Sequence, residues 1–263
     1  MSEALTYSLV IGISVGFSAG YLGSLMVLEK MALVGDALSH VALPGLALGI
    51  LFNFNPFLGA FAFLFSSAVI IWHLGRVTKL SFETLVAAMF TLALAIGVII
   101  IPKTDLLEAL FGDITKVGLA ETVVAVLVSA MAMLFTRIIY KKLVLGMISE
   151  ELATSTGINV ARINLLYLLL VSLVVAVGIK IVGTLLVGFL VVVPAAAARN
   201  LSPNLSRYYV LSAVFGALSS FLGILLSSYT NLPSGPGPLV VLSGITIFLA
   251  TVVTKWASKF HAF

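Results

Sequence analysis

Two ionisable side chains lie four residues apart in a stretch that is otherwise apolar enough to enter a bilayer. The stretch is MALVGDALSHVALPGLALG, and the two side chains are Asp36 and His40. If the stretch is helical, the carboxylate and the imidazole lie on one face, about one turn apart. Oxygen and nitrogen ligands suit zinc, manganese or ferrous iron and match copper(I) poorly. The spacing therefore predicts a site for a divalent metal ion, with Asp36 and His40 as its ligands.

The alternative interpretation is structural, an Asp–His hydrogen bond that closes a buried polar pair. The apolar surroundings argue against it, because a charged group near the centre of a membrane helix costs roughly 2.5–3.5 kcal/mol and usually faces a partner or water-filled space. The same stretch holds Ser39, Pro44 and Gly45. Proline removes a helical hydrogen bond and glycine leaves the backbone thinly covered, so we expect a kink or break just beyond the pair. Transporters place sites at such interruptions, which predicts pathway or hinge roles for these three residues.

Composition defines the class of protein in which this pair is found. Of the 263 residues, 61% are hydrophobic and only 9% are charged, against about 25% charged residues in soluble domains. We therefore expect an all-α polytopic membrane protein, organised as a single transmembrane domain over residues 1–263. No Walker-type phosphate-binding motif occurs, so ATP hydrolysis, if needed, is expected on a separate chain. The net charge of +4 is spread among the loops, which indicates membrane topology and not nucleic-acid binding.

A membrane-spanning helix needs roughly 17–25 apolar residues. Nine runs of this length can be read from the sequence, and we accept a range of eight to ten spans. The second and seventh are short or interrupted by proline, and the sixth and seventh are almost without a loop between them. The predicted spans are Leu5–Leu28, Val34–Phe54, Pro56–Leu74, Glu83–Ile101, Leu119–Tyr140, Ile163–Ile181, Gly183–Ala198, Tyr208–Tyr229 and Pro238–Trp256.

The basic residues orient these spans, since cytoplasmic loops collect Lys and Arg. With nine spans and an external N-terminus, 11 of the 14 basic residues fall in inside loops. Changing the span count by one before Arg137 would place the most basic loop outside. We therefore expect the N-terminus outside and the C-terminus in the cytoplasm.

The longest polar connection on the inside face is KKLVLGMISEELATSTGINVARIN, between the fifth and sixth spans. Ser149 is suited to be an N-cap, Glu150 and Glu151 favour the first turn of a helix, and Gly157 is suited to end it. This pattern predicts a short cytoplasmic helix. Its function is either to contact an ATPase that drives the spans or only to cap the loop.

The seventh span, GTLLVGFLVVVPAAAAR, has Pro194 in its middle, followed by four alanines. Small residues allow close helix packing, so this span is either a tight helix contact or a moving gate with Pro194 as its hinge. Two segments predicted to lie outside the membrane carry weaker functional signals. Residues 103–117 form a mildly acidic loop, and Asn231–Leu242 is uncharged and rich in Pro and Gly, which predicts a stiff external loop.

Several of these motifs together resemble one family. LEKMALVGDALSHVALPG at Leu28–Gly45 is similar to the second-span motif LRRMALMGDALSHAVLPG of the membrane subunits of ABC importers for zinc and manganese. The resemblance continues, in the same order, through nearly the whole chain. Its further segments are LFGDI at Leu110–Ile114, SEELATSTGINV at Ser149–Val160, VGTLLVGFLVVVPAAAAR at Val182–Arg199 and LPSGP at Leu232–Pro236.

The resemblance implies a prokaryotic cell-membrane permease that works as a homodimer, with cytoplasmic ATP-binding subunits and an external metal-binding protein. It assigns Asp36 and His40 to the metal pathway, and the segment containing Ser149, Glu150, Glu151 and Gly157 to ATPase coupling. The metal is cargo, and no permanently bound cofactor is expected. One departure lies at Glu29-Lys30, where the family motif has two basic residues.

Zinc, manganese and iron remain open, since the Asp and His ligands accept all three. A stand-alone divalent-metal channel or secondary transporter is the alternative function, because it too needs intramembrane Asp and His. An enzyme is not expected, since neither His-Glu-x-x-His nor Gly-x-Ser-x-Gly occurs in the sequence.

Overall fold

The protein is a bundle of ten helices with no strand in the residues that its computed structural model describes, 3–78, 80–100, 110–112, 117–230 and 237–260. The helices follow in chain order as α1 Glu3–Leu28, α2 Ala32–Leu51, α3 Pro56–Val77, α4 Phe82–Ile100, α5 Leu119–Ile148, α6 Glu150–Ser155, α7 Val160–Val182, α8 Thr184–Leu201, α9 Leu205–Thr230 and α10 Gly237–Phe260.

Each of the nine predicted spans corresponds to a helix, which confirms the all-α polytopic prediction. Eight helices in the described ranges are long and apolar enough to cross a membrane, and α8 contributes a shorter apolar run, Val187–Leu201. A count of eight spanning helices lies at the lower limit of the predicted range of eight to ten. The connection between α7 and α8 is a single residue, Gly183, whose φ of 83° is accessible to glycine.

Local sequence explains several helix boundaries. Asn55 caps α3 by accepting a hydrogen bond from the Phe57 amide at 3.0 Å, and Pro56 stands in the first turn, where its missing N–H costs nothing. The fifth span is longer than predicted, since α5 has 30 residues and continues to Ile148. Gly146, three residues before Ser149, does not end the helix, so most of the predicted inside connection is helical.

The helices α1, α2 and α8 form the centre of the bundle. α1 packs against α9, α8 and α5, whereas α2 packs against α3, α4 and α8. Within its apolar span α2 is 78% buried, against 22% for α4, which contacts α2 and to a smaller extent α3. The predicted metal ligands therefore belong to one of the two most buried helices.

Of the kink or break expected near Pro44, the break is absent, because α2 is one continuous helix from Ala32 to Leu51. The backbones of α3 and α4 pack closely against α2 around Pro44 and Gly45. A Cβ on Gly45 would lie 2.8 Å from the Ala60 amide nitrogen of α3, and one on Gly97 of α4 would lie 3.4 Å from the Pro44 nitrogen. Close packing on both sides stabilises a helix that has lost one hydrogen bond.

Candidate functional site

Asp36 lies in the second turn of α2, directly against α8. A Cβ built on Gly188 of α8 would lie 2.7 Å from Asp36 Oδ1 and 3.0 Å from its Cβ. Asp36 itself is partly exposed, whereas its neighbours on α2 are almost completely buried. The carboxylate is thus beside a glycine that leaves room for it, at the contact between two central helices.

His40 lies one turn further along α2 and is 8% exposed. Phe90 of α4 packs on the imidazole edge to face, with ring centroids 5.3 Å apart and planes at 68°. The buried His40 Nδ1 has no hydrogen-bond partner. An orphaned ring nitrogen is costly in an apolar interior, because its desolvation is not offset. The atom is therefore available to a ligand.

The structural interpretation of the pair needs an Asp–His hydrogen bond, and Asp36 makes none to His40 Nδ1. Asp36 is nevertheless close enough to His40 to act on it electrostatically. No group of three or more His, Asp or Glu side chains converges anywhere in the described ranges. Within that part of one chain, the pair offers two ligands, fewer than the four of a closed zinc site.

The other predicted pathway residues lie around the pair without adding side-chain ligands. The buried Ser39 hydroxyl donates to the Asp36 carbonyl oxygen at 2.6 Å, so it is used within the helix. Gly45 packs on Gly59 of α3. Pro194 is buried within α8, which runs unbroken from Thr184 to Leu201. Three of the four alanines after Pro194 are fully buried as well, which fits the tight helix contact considered from the sequence.

The short helix α6 has the caps that its sequence predicts. The Ser149 hydroxyl accepts a hydrogen bond from the Leu152 amide at 3.2 Å. At the other end the amides of Gly157 and Ile158 donate to the carbonyl oxygens of Thr154 and Ala153 at 2.9 and 3.0 Å, with Gly157 at φ 81°. This is the Schellman arrangement, in which a left-handed residue closes the helix.

One side of α6 packs against the bundle, and the rest of the helix is exposed. Ala153 is fully buried, and α6 packs against α5 and α7. Leu152 is 51% exposed and Ile148, just before the cap, is 74% exposed. Ser149, Glu150, Glu151, Thr154 and Ser155 line a shallow open depression next to them. Exposed apolar side chains beside acidic ones form a surface suited to a protein partner.

Sequence reasoning did not find Gly188 and Phe90, which contact Asp36 and His40 from other helices. A glycine inside an apolar span does indicate that another chain segment approaches closely. That signal does not say which segment approaches. Phe90 carries no signal in the sequence, since a phenylalanine in an apolar span is ordinary.

The bundle and its intramembrane pair define a multi-pass membrane transport subunit. The chain matches the ABC 3 transport family over residues 1–255. It is 30% identical over 250 residues to the manganese transport system membrane protein MntC of Listeria monocytogenes, covering 94% of this chain and 89% of that one. It is also 30% identical over 260 residues to the high-affinity zinc uptake system membrane protein ZnuB of Buchnera aphidicola, covering 96% and 98%.

Solved structures agree with these relatives. PsaBC from Streptococcus pneumoniae, in complex with Fab, superposes with a TM-score of 0.82 at 32% identity, covering 95% of this chain and 91% of that one. An inward-facing putative metal-chelate type ABC transporter shares the fold, with a TM-score of 0.78 at 17% identity over 94% and 85% of the two chains. The chain belongs to the ABC 3 transport family. Membership confirms the family resemblance and the expectation of a transport subunit in place of an enzyme.

Proposed function

We propose that this chain is the membrane-spanning subunit of an ATP-driven importer for zinc or manganese in a prokaryotic plasma membrane. The observation that carries the proposal is His40, whose buried Nδ1 has no partner and which lies one turn from Asp36 in a central helix. The relatives named for manganese and zinc transport support it. On this proposal, residues 1–263 form one transmembrane domain, with the N-terminus outside and the C-terminus in the cytoplasm.

Asp36 and His40 act on the cargo ion as a pair of transient ligands. Two side chains leave positions on the ion for water or for a group from another subunit, so the ion can enter and leave without the affinity of a structural zinc site. Ser39 orders the backbone at Asp36, and Gly45 allows α2 to pack on α3. Pro44 and Pro194 each remove one helical hydrogen bond, which gives α2 and α8 a point at which they can bend around the ion. Binding requires ionised Asp36 and neutral His40.

The energy for import comes from separate ATP-binding subunits that contact α6. Ser149, Glu150, Glu151 and Gly157 shape the helix that these subunits hold, and exposed Leu152 supplies apolar contact area. Two copies of the chain form the pathway, and an external metal-binding protein delivers the ion. A homodimer is consistent with the incomplete ligand set, since a second copy can contribute the missing ligands.

The decisive experiment is metal uptake into vesicles that contain the complete importer. We expect Asp36→Asn and His40→Ala each to abolish ATP-dependent uptake of zinc and manganese while the subunits still assemble. Thr136→Val is the matched control, because Thr136 is a fully buried polar residue of a span whose hydroxyl donates to the Ala132 carbonyl oxygen of its own helix. Uptake at the rate of the unchanged importer in both pair variants would remove Asp36 and His40 from the pathway.

The alternative, a stand-alone channel or secondary transporter, predicts uptake without ATP. Uptake should instead need both ATP and the ATP-binding subunit. Uptake driven by the metal gradient or by a proton gradient, with no ATPase present, would establish the alternative.

Orientation has its own test, which the sequence makes simple, because the chain contains no cysteine. A single cysteine between residues 103 and 117 should react with an impermeant maleimide added to intact cells. A cysteine between 143 and 157 should react only after the membrane is opened. The opposite pattern would invert the proposed topology.

A further inference from the structure

A groove on the bundle surface runs along α1 between α5 and α9. Both flanking helices pack against α1, but within the described residues they hardly touch each other. One face of α1 remains uncovered in the gap, with Val10 40% and Ile13 37% exposed and with Phe17 and Tyr21 partly exposed. These side chains recur every three or four residues, so they form one continuous apolar stripe.

Three tyrosines close one end of the groove. The ring of Tyr209 on α9 meets Tyr21 on α1 edge to face, with centroids 5.4 Å apart, and meets Tyr140 on α5 in the same way at 5.7 Å. No hydrogen bond within the described part of the chain occupies the hydroxyls of these three residues. The tyrosine end of the groove therefore presents three free O–H donors side by side.

Positive charge lies at the same end. Arg137 is exposed on α5 and close enough to Tyr21 for the two groups to interact electrostatically. Lys141 is also exposed and follows Arg137 by four residues, so both project from the same side of α5. Lys142 projects from a different side, because it is five residues from Arg137.

The dimensions match one leaflet of a membrane. Tyr209 is four residues from the start of α9, about 6 Å along its axis, and Tyr21 is seven residues from the end of α1, about 10 Å. This is the depth at which tyrosines gather at the edge of a bilayer. From Tyr21 to Val10 the stripe runs about 16 Å, roughly half of a 30 Å hydrocarbon core.

We propose that this groove binds an anionic phospholipid, with an acyl chain along the α1 stripe and the headgroup phosphate at Arg137 and the three tyrosine hydroxyls. The guanidinium and the O–H groups donate to the phosphate oxygens, and Lys141 adds charge from the rim. A neutral phospholipid has the same phosphate but an attached cation, which the two basic side chains repel. The site therefore selects net negative charge.

The test measures lipid retained by the complete importer. The protein is equilibrated in nanodiscs with equal phosphatidylglycerol and phosphatidylcholine, extracted gently and examined by native mass spectrometry. We expect bound phosphatidylglycerol to exceed phosphatidylcholine and to fall about fivefold in Arg137→Gln. Lys142→Gln, which removes an equal charge outside the groove, should retain the lipid of the unchanged protein. Added inorganic phosphate should not displace the lipid, because phosphate lacks the acyl chain.

A second variant keeps the proposal testable if Arg137→Gln assembles poorly. Tyr209→Phe preserves both ring contacts and removes only one donor, so it should lower retention of phosphatidylglycerol without altering thermal stability in phosphatidylcholine. Equal retention of the two lipids, or equal losses in Arg137→Gln and Lys142→Gln, would overturn the proposal. Disulfide cross-linking between two copies through Ile13→Cys, in the exposed stripe, would also overturn it, by assigning the groove to a subunit interface. These outcomes do not depend on transport, so they are distinct from failure of the proposed function.

Discussion

Gly188 of α8 lies against Asp36 of α2, so closely that any side chain at position 188 would displace the carboxylate. An added Cβ would lie 2.7 Å from Asp36 Oδ1 and closer still to the Asp36 backbone. Real Cβ atoms do not approach other atoms at such distances. The position of the predicted metal ligand on α2 therefore depends on the absence of a side chain on α8.

Gly188→Ala should sharply reduce metal uptake although it changes no ligand. One methyl group forces α8 away from α2 or rotates Asp36, and overpacking of this kind typically costs about 1–3 kcal/mol. A shift of the carboxylate also separates it from His40. Uptake in reconstituted vesicles, together with the thermal stability of the importer, measures both effects.

Gly75→Ala is the control for this substitution. Gly75 is an exposed glycine within α3, where a Cβ would meet only Leu85 Cδ1, at 3.6 Å. Alanine favours a helix interior over glycine by roughly 0.5–1 kcal/mol, so this variant should be at least as stable as the unchanged protein. If Gly188→Ala transports metal as well as Gly75→Ala, the contact between α8 and Asp36 has no part in transport.

Gly157→Val should weaken coupling to the ATPase. Nothing lies within 4 Å of a Cβ at position 157, so the substitution meets no neighbour, but valine is strained at φ 81°. Loss of the Schellman turn would unwind the end of α6 next to its exposed acidic face. Gly157→Asn should behave almost normally, because asparagine tolerates this conformation. Co-purification of the ATP-binding subunit and ATP-dependent uptake are the two measurements, and equal results for valine and asparagine would contradict the prediction.

The caps of α6 illustrate what the sequence alone could predict. Ser149 and Gly157 act through hydrogen bonds and φ angles that involve residues up to five positions away, so local sequence determines them. The same holds for spans, which depend on the length of an apolar run. Contacts of Gly188 with Asp36 and of Phe90 with His40 join helices that are distant in the chain. One apolar helix is much like another in sequence, so the sequence does not say which helices pack together. These contacts therefore could not be predicted.

Pro44 shows a different limit of sequence reasoning. Its effect on an isolated helix is well defined, but α3 and α4 pack so closely at Gly45 and Gly97 that α2 stays continuous. A kink or a break was expected from a local rule, and the packing of neighbouring helices prevents the break. The predictions for residues 101–109, 113–116 and 231–236 concern positions outside the described residues.

Glu29 should make the stability of the subunit depend on pH. Burial raises the pKa of its carboxyl from 4.5 to about 7. Between these values the folded chain holds a proton that the unfolded chain has lost, so the contribution is fully present below pH 4.5 and is lost as the pH rises through 7. Thermal stability should therefore fall between about pH 4.5 and 7, and Glu29→Gln should flatten that part of the profile.

The exposed Glu151 provides the comparison for Glu29. Glu151→Gln removes an equal charge from the surface of α6 and should leave the decline of stability with pH as it is in the unchanged protein. A decline of the same size in Glu29→Gln would show that another group is responsible. Glu29 stands where the related motif has a basic residue, so this pH response is expected to be particular to chains with an acid at that position.

Lys30→Gly should stabilise the turn between α1 and α2. Lys30 has a φ of 62°, and its amide and that of Met31 donate to the Val27 and Met26 carbonyl oxygens at 3.3 and 2.9 Å. This is a Schellman turn with lysine at the position that favours glycine, which costs roughly 1 kcal/mol. The glycine variant should unfold at a higher temperature, whereas Lys30→Val should unfold at a lower one. No change in either would mean that the turn relaxes without cost.

The glycines shared by α1 and α9 have a mechanical consequence. Gly16 and Gly216 bring the two backbones into contact, and a Cβ on Gly20 would lie 2.9 Å from the Ser212 carbonyl carbon. Sliding of packed helices past one another is one route of conformational change, and at Gly16, Gly20 and Gly216 it is opposed because backbone meets backbone directly. The contact between α1 and α9 is therefore rigid at these glycines, and we expect the two helices to move together. The Phe90 ring of α4, by contrast, rests on His40, so this contact between α4 and α2 can change by rotation of a side chain.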